Sequence, residues 1–506
     1  MAREPELGFS LVEKSFLPQR QLPTNTSPNM KYFNRRGFLK TAGAAAGVFY
    51  IAPTSWAQKS PGDTLNSVVV GFNGRGGSHI SALSGLKDSG VRLTALCDVD
   101  DAVLRKGVDA QDKKGVKVTP YTDIRKVLEN KDIDIVSIAT PNHWHSLGAI
   151  WAVQAGKDVY VEKPVSHNVW EGRQLVNAAR KYKKIVQTGT QSRASRIGIG
   201  EAVKFVQSGQ LGKIIAVRGL CYKPRGSIGL IDAPKPIPAG IDFDLWCGPA
   251  PKDELRRSRL HYDWHWIWNY GNGDLGNQGI HQMDIGRWFT GEMELSPRVW
   301  SVGGRLGYKD DGETPNTQVI YHDYAKAPLI FEVRGLSSAK DNKDMDSFMG
   351  AKIGVVVHCE GGHVTVPSYT SSSAYDKAGK LIKTWKEEKG GEGPHFKNFI
   401  EAVRSRNHKD LYADILEGHL SSALCHTGNI SHRLGQKAAP GAIREQIKGD
   451  REATATVERM FEHLKANEVN IDTDKLTLGP VLKMNPKTEK FIGNADADKQ
   501  LTRDYR

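Results

Sequence analysis

The chain has 506 residues, enough to bury a large core and to divide into more than one domain. Charged residues make 25% and hydrophobic residues 39% of it, the balance of a soluble globular protein. The formal net charge is +13, of which residues 1–57 supply +4 through seven Lys/Arg against three Asp/Glu; the rest is spread without a long basic run, which argues against nucleic acid as a partner.

Residues 1–57 form an N-terminal extension that carries an address. Asn34-Arg35-Arg36-Gly37-Phe38-Leu39-Lys40 precedes a mild apolar run, Thr41 to Pro53, and then Ser55-Trp56-Ala57. That is a charged n-region, a short h-region and a small-x-small cleavage site. The run is too short and too rich in Gly and Ala to serve as a stable membrane anchor. The segment resembles twin-arginine signals, which usually carry Ser or Thr where this chain has Asn34. Such signals use the twin-arginine export machinery, so a periplasmic or otherwise exported, already folded protein is expected. Met30 lies just ahead of the basic stretch, and a true start at Met30 in place of Met1 is tested by N-terminal sequencing.

From Leu65 onward, short apolar runs alternate with helical patterns. Strands are predicted over 65–71, 91–97, 133–139 and 157–161, with helices over 79–87, 101–113, 122–129 and 144–155 between them. A helix over 169–182 and a strand over 185–188 extend the series. Such alternation predicts a parallel sheet covered on both faces, an α/β domain over residues 65–191. After a helix over 199–207 the pattern changes. Strands over 214–222, 298–306, 318–324, 329–336, 353–359 and 363–367 have little helix between them, which predicts a mostly antiparallel sheet in an α+β domain over 192–436. Amphipathic helices are predicted over 395–405 and 417–435. Residues 437–506, with thirteen basic against twelve acidic side chains, read as a tail that wraps the surface. Cys97, Cys221, Cys247, Cys359 and Cys425 are far apart and odd in number, which points to buried thiols in place of a disulfide framework.

The chemistry begins after the first strand. Gly71-Phe72-Asn73-Gly74-Arg75-Gly76 opens a helix there, and as G-x-G-x-x-G it replaces the middle glycine by Asn73. The first glycine permits the tight turn, the last allows close helix–strand packing, and a pyrophosphate is held at the helix N-terminus. Asn tolerates left-handed conformations and Gly74 is adjacent, so the turn survives. Asp98 ends the second strand, twenty-two residues beyond Gly76. A carboxylate there accepts ribose hydroxyls and repels a 2′-phosphate, favouring NAD over NADP. Thr140-Pro141-Asn142 with His145, and Glu162-Lys163-Pro164, end two further strands on the same edge, where open α/β sheets bind ligands.

With Gly189-Thr190-Gln191-Ser192-Arg193, Asp244 to Pro249, Gly276-Asn277 to Asp284 and Arg287-Trp288, and His395-Phe396 through Glu417 to Asn429, these segments resemble the glucose–fructose oxidoreductase/inositol dehydrogenase (Gfo/Idh/MocA) family. The likeness covers most of residues 65–436. It implies a Rossmann domain followed by an open-faced sheet domain that contacts substrate and serves oligomerisation, here as a homodimer or homotetramer. It implies an NAD(P)-dependent oxidoreductase acting on a secondary hydroxyl or carbonyl of a sugar, glycoside or inositol. Lys163 then reaches the reacting oxygen, the Lys163–Pro164 peptide is expected to be cis, and the family's proton acceptor falls on His281. The family's acid four residues earlier is Asn277 here, which keeps a hydroxyl contact and loses the carboxylate that raises the histidine pKa.

The chemistry asks for these residue types on its own terms. Alcohol oxidation sends hydride to nicotinamide C4 while the hydroxyl loses a proton. A histidine suits that proton transfer, and a neighbouring ammonium stabilises the developing alkoxide. Among substrate contacts, Trp264 and Trp266 stack on a sugar face or simply pack, and Arg193 binds hydroxyls or forms a salt bridge; Asp284 completes the set. His261, Asp263 and His265 have ligand types but no confirming set, so no metal is assigned. Free dinucleotide is scarce outside the cytoplasm, so an exported enzyme of this design keeps its NAD tightly bound. Two other readings stay open: a redox-neutral lyase, epimerase or glycosidase that oxidises transiently, and a non-catalytic sugar-binding protein.

Overall fold

The computed structural model describes residues 64–388 and 390–506. The twin-arginine segment and the choice of Met1 or Met30 lie outside the described residues. No helix among the described residues is long and apolar enough to cross a membrane.

Six parallel strands form the first sheet: β1 (Leu65–Val70), β2 (Val91–Cys97), β3 (Thr119–Tyr121), β4 (Ile135–Ile138), β5 (Asp158–Val161) and β6 (Val186–Thr188). Their order is β3-β2-β1-β4-β5-β6, the doubly wound order of a dinucleotide-binding domain. β4, β5 and β6 are buried along their whole length, as strands covered on both faces must be. The intervening helices start where a short polar side chain meets free N–H groups: Asp100 caps Asp101–Asp112, Asp123 caps Ile124–Glu129 and Asn168 caps Val169–Lys181. β3, with its Pro120, is the strand that periodicity leaves unread.

One cover of this sheet comes from far downstream. The helix Glu392–Ser405 sets Phe396 and Phe399 against Leu65, Val69 and Tyr160, and the Phe396 ring stacks on Tyr160 with centroids 3.9 Å apart. Amphipathicity marks that helix in the sequence but cannot say which sheet receives it.

The second sheet has twelve strands. β7 (Ile214–Cys221), β8 (Arg298–Gly304), β9 (Thr317–His322), β10 (Leu329–Arg334), β11 (Ile353–Cys359), β12 (Gly362–Ser368), β13 (Ser371–Asp376) and β14 (Leu381–Lys386) run in the order β14-β13-β12-β11-β7-β10-β9-β8. Every pair in that run is antiparallel except β7 with β10. Side chains alternate between two cores. Leu329 and Phe331 face the helices Ile280–Thr290 and Ile415–Arg433, while Ile330, with Val319, Tyr321 and Trp300, faces the other way.

Residues beyond Gln436 join this sheet. β15 (Gln436–Ala438), β16 (Leu476–Leu478), β17 (Leu482–Asn485) and β18 (Lys490–Phe491) extend its β8 side. The helix Arg451–Ala466 lays Val457, Met460, Phe461 and Leu464 on Trp300, Tyr321 and Ile330. The face expected to be open is therefore partly covered by this chain's own tail. All five cysteines are buried free thiols.

Candidate active site

An open parallel sheet binds ligands at the carboxyl ends of its strands, where the order reverses beside β1. A cavity of about 380 Å³ lies there. Gly71, Asn73, Gly74 and Arg75 line it after β1, Asp98 after β2, Thr140, Pro141, Asn142 and His145 after β4, and Glu162 and Lys163 after β5. Gly71 has φ +75°, and a Cβ on it would sit 2.9 Å from Thr140; a Cβ on Gly76 would sit 2.1 Å from the Gly71 carbonyl oxygen. Both ends of the motif therefore need glycine, whereas Gly74 has open space. Gly76 begins the helix Gly76–Ser84 and is not itself on the cavity wall.

Two features of the wall fit a dinucleotide. The Asp98 carboxylate accepts the Phe72 and Asp100 backbone N–H groups at 3.0 and 3.1 Å. Burial pushes this carboxyl above its ordinary range, against those two bonds, and a carboxylate has about four acceptor sites, so capacity for hydroxyl donors remains. The Thr140 hydroxyl is buried here without a hydrogen-bond partner among the described residues.

Glu162 and Lys163 form the charged floor. Arg75 Nε and His79 Nε2 donate to Glu162 Oε1 at 2.9 and 3.1 Å, and the Lys163 backbone N–H donates to Oε2 at 3.1 Å. Burial opposes this carboxylate, yet the His79 bond and the Arg75 guanidinium hold it well below the usual range. Lys163 Nζ donates to the Asn277 carbonyl oxygen at 2.5 Å, with Asn277 Oδ1 at 3.5 Å. Burial lowers the ammonium pKa from 10.5 and Glu162 opposes that. The Lys163–Pro164 peptide is cis. His145 sits between the Pro164 and Thr140 carbonyls, 2.6 and 2.7 Å away, and so ties the ends of β4 and β5.

Asn277 lies on the cavity wall in a π-helical turn, Leu275–Gly279, that runs into Ile280–Thr290. His281 comes one turn later, behind the wall, 6% exposed and 4.9 Å from the Tyr369 ring, centroid to centroid. Burial, then the Lys163 ammonium, push its pKa down to about 3, so the ring is neutral at pH 7. Its Nδ1 has no partner among the described residues.

The facing wall includes Leu245, Trp246, His261, Tyr262, Trp264 and His265. His143 Nε2 donates to the Trp246 carbonyl at 2.8 Å and Trp144 Nε1 to that of Leu245 at 2.9 Å, so the helix Asn142–Gln154 clamps it. His261 donates to Asp100 at 2.9 Å, Asp263 pairs with Arg259, and His265 Nδ1 donates to the Tyr262 carbonyl at 2.5 Å. These three therefore serve three separate partners. Trp264 lines the cavity and stacks on His265, centroids 3.7 Å apart; Trp266 is off the wall, beneath the Arg225 guanidinium.

Arg193 forms the salt bridge that the sequence left open beside substrate binding, and neither it nor Asp284 lies on the cavity wall. Arg193 donates twice to Asp284, at 2.8 and 2.9 Å, and once to Glu417 at 3.1 Å. Arg287 also donates to Glu417 at 3.1 Å, and Ser421 Oγ to Asp284 at 2.9 Å. Both groups are buried and satisfied by one another. Sequence reasoning missed Thr122, Asp123 and Ile124 on the cavity wall, because they follow the unread β3. It also missed Arg225, whose bidentate pair with Asp274 adds a cation beside Lys163 and His265. Leu245 and Trp246 stand in a segment the family resemblance had already marked.

Comparison with known proteins bears on the family and the fold. Residues 65–190 match the model described as "Oxidoreductase family, NAD-binding Rossmann fold", and residues 197–345 match the "C-terminal alpha/beta domain" of that family, together more than half of the chain. A glycosyl hydrolase family 109 protein of Shewanella baltica is 37% identical over 179 residues, 31% of this chain and 39% of that protein. An inositol 2-dehydrogenase of Salmonella typhimurium is 29% identical over 160 residues, 31% of this chain and 46% of that protein. The matches thus span less than half the length of these curated relatives. Among solved structures, the WlbA dehydrogenase of Bordetella pertussis, in complex with NADH and UDP-GlcNAcA, gives a TM-score of 0.52 at 20% identity over 71% of this chain and 94% of that one. A levoglucosan dehydrogenase, in complex with NADH and levoglucosan, gives 0.53 at 17% identity over 72% and 95%. At such identities they speak for the fold.

Proposed function

We propose, because the chain belongs to the Gfo/Idh/MocA oxidoreductase family, that it oxidises or reduces a secondary hydroxyl or carbonyl of a sugar, glycoside or inositol. One observation supports this most: a half-buried ammonium, Lys163 Nζ, is held 2.5 Å from the Asn277 carbonyl at the end of a glycine-loop crevice, with the neutral His281 one helical turn away. A bound nicotinamide supplies a hydride acceptor at C4. Gly71 lets the backbone approach its diphosphate, and Asp98 accepts ribose hydroxyls and disfavours a 2′-phosphate, so NAD is preferred over NADP. Lys163 orients the reacting oxygen and stabilises negative charge on it; His281 takes the hydroxyl proton.

Burial, and after it the Lys163 ammonium, depress the His281 pKa against the opposing Glu162 carboxylate. Asn277, an amide where the family resemblance has an acid, adds no negative charge of its own. Asn277→Asp adds that charge and favours the imidazolium, so the His281 pKa rises. Because a base works only when unprotonated, the acidic limb of the pH–rate profile is expected to move to higher pH in Asn277→Asp. An unmoved limb would count against His281 as the base.

The Arg35-Arg36 segment supports export of the folded chain, with dinucleotide bound beforehand and kept. Purified, then denatured, protein is expected to release NAD or NADH, and glycosides or inositols to give net reduction of added NAD. No dinucleotide released would end the tight-binding reading. A second reading, a redox-neutral glycosidase working through transient oxidation, is favoured by the family 109 names among the relatives. Product formation without net cofactor reduction would select it.

A further inference from the structure

Residues 489–505 run from the β18 edge of the large sheet onto the helix Val169–Lys181. Glu489 accepts Arg173 at 2.6 and 3.1 Å and His419 at 2.9 Å, and the Leu501 carbonyl accepts the Trp170 N–H at 2.9 Å. At the far end Tyr505 donates to Glu171 at 3.0 Å. Arg503 lies between these anchors and makes contacts of another kind. Its guanidinium pairs with Glu171 at 2.9 Å, and donates to the His143 carbonyl at 3.1 Å and the Asn269 carbonyl at 3.4 Å. One group so joins three segments, at 14% side-chain exposure.

Two of those segments hold the crevice walls. His143 follows Asn142, which lines the cavity and donates to Asn272 Oδ1 at 3.0 Å, and the His143 ring holds the Trp246 carbonyl of the facing wall. Asn269 belongs to the loop that runs from Trp264 and His265, on that facing wall, toward Asn272. We propose that Arg503 is a positioning residue for dinucleotide binding: it fixes the two walls relative to each other, so the ordering they need is complete before the cofactor arrives. A preformed site loses less conformational freedom on binding and binds more tightly. The family models end at residues 190 and 345, well before this segment. The inference rests on dinucleotide occupying the crevice, the reading given above.

The test uses the full chain stripped of bound nucleotide, with NADH as probe, titrated by its fluorescence. Arg503→Ala is expected to weaken NADH binding about tenfold, and Arg503→Lys to restore part of it. Arg173→Ala serves as control: it loosens the Glu489 anchor and leaves Arg503 in place, so the thermal midpoint falls while NADH affinity stays within about twofold. Arg503→Ala binding NADH as the wild type does would overturn the inference alone. So would equal weakening by Arg173→Ala, which would mark the effect as general loosening. A wild-type chain that binds no NADH would overturn both this and the reading beneath it.

Discussion

Replacing Lys163 by methionine is expected to lower turnover about a thousandfold while the fold and NADH binding stay intact. A single preorganised donor aimed at developing oxyanion charge supplies roughly 10²- to 10³-fold, and Lys163 places a full positive charge there, so the upper end applies. Lys163 is a half-buried cation on the cavity floor whose Nζ rests on a backbone carbonyl, a bond that a substrate oxygen can join. Methionine keeps the unbranched stem and its packing and removes the charge. Burial already works against that ammonium, so its loss removes a desolvation cost and should not unfold the chain.

The same substitution carries a second signature. The Lys163 ammonium is one of the forces that depress His281, after burial itself. In Lys163→Met the His281 pKa should therefore rise, and the residual activity should fall off at higher pH than in the wild type. Steady-state turnover, NADH titration and the pH profile check the three statements separately. Activity within about tenfold of wild type would remove Lys163 from the reaction.

How far the site is legible in the sequence depends on how local each signal is. β1, β4 and β5 are apolar runs rich in Val and Ile between turn residues, and the groups at their carboxyl ends follow from strand direction alone. β3 escapes because three residues, Thr119-Pro120-Tyr121, carry no period and are largely exposed. β13 escapes because SSSAYD is mostly polar, and β14 because Leu381, Ile382 and Trp385 of LIKTWK follow no clean alternation and only Trp385 is buried. The Arg503 bridge and the docking of Glu392–Ser405 join positions more than two hundred residues apart, and a single chain gives no sign of such pairing. Arg193 shows the limit most plainly. Its neighbourhood in the family segment leaves a substrate contact and a salt bridge equally open, and only the position of Asp284, ninety-one residues on, shows where the guanidinium goes.

That ion network sets the other large effect. Asp284→Ala is expected to destabilise the folded chain by about 3–5 kcal/mol, because it leaves Arg193 and Arg287 buried around Glu417 alone. Out of a total of roughly 5–15 kcal/mol, that is a large share. Burial opposes the Asp284 carboxylate, but the Arg193 guanidinium outweighs it and holds the carboxyl below its ordinary 3.8. A folded pKa below the unfolded one means the contribution is complete above the unfolded pKa and fades as pH falls from there through the folded pKa. Asp284→Asn keeps the volume and an acceptor oxygen, so its cost should be smaller. Urea unfolding at neutral pH measures both. A substrate-binding aspartate would behave in the opposite way: unfolding midpoints unchanged, KM raised. Finding that pattern would return Asp284 and Arg193 to the substrate site and refute the network as the reason they are buried.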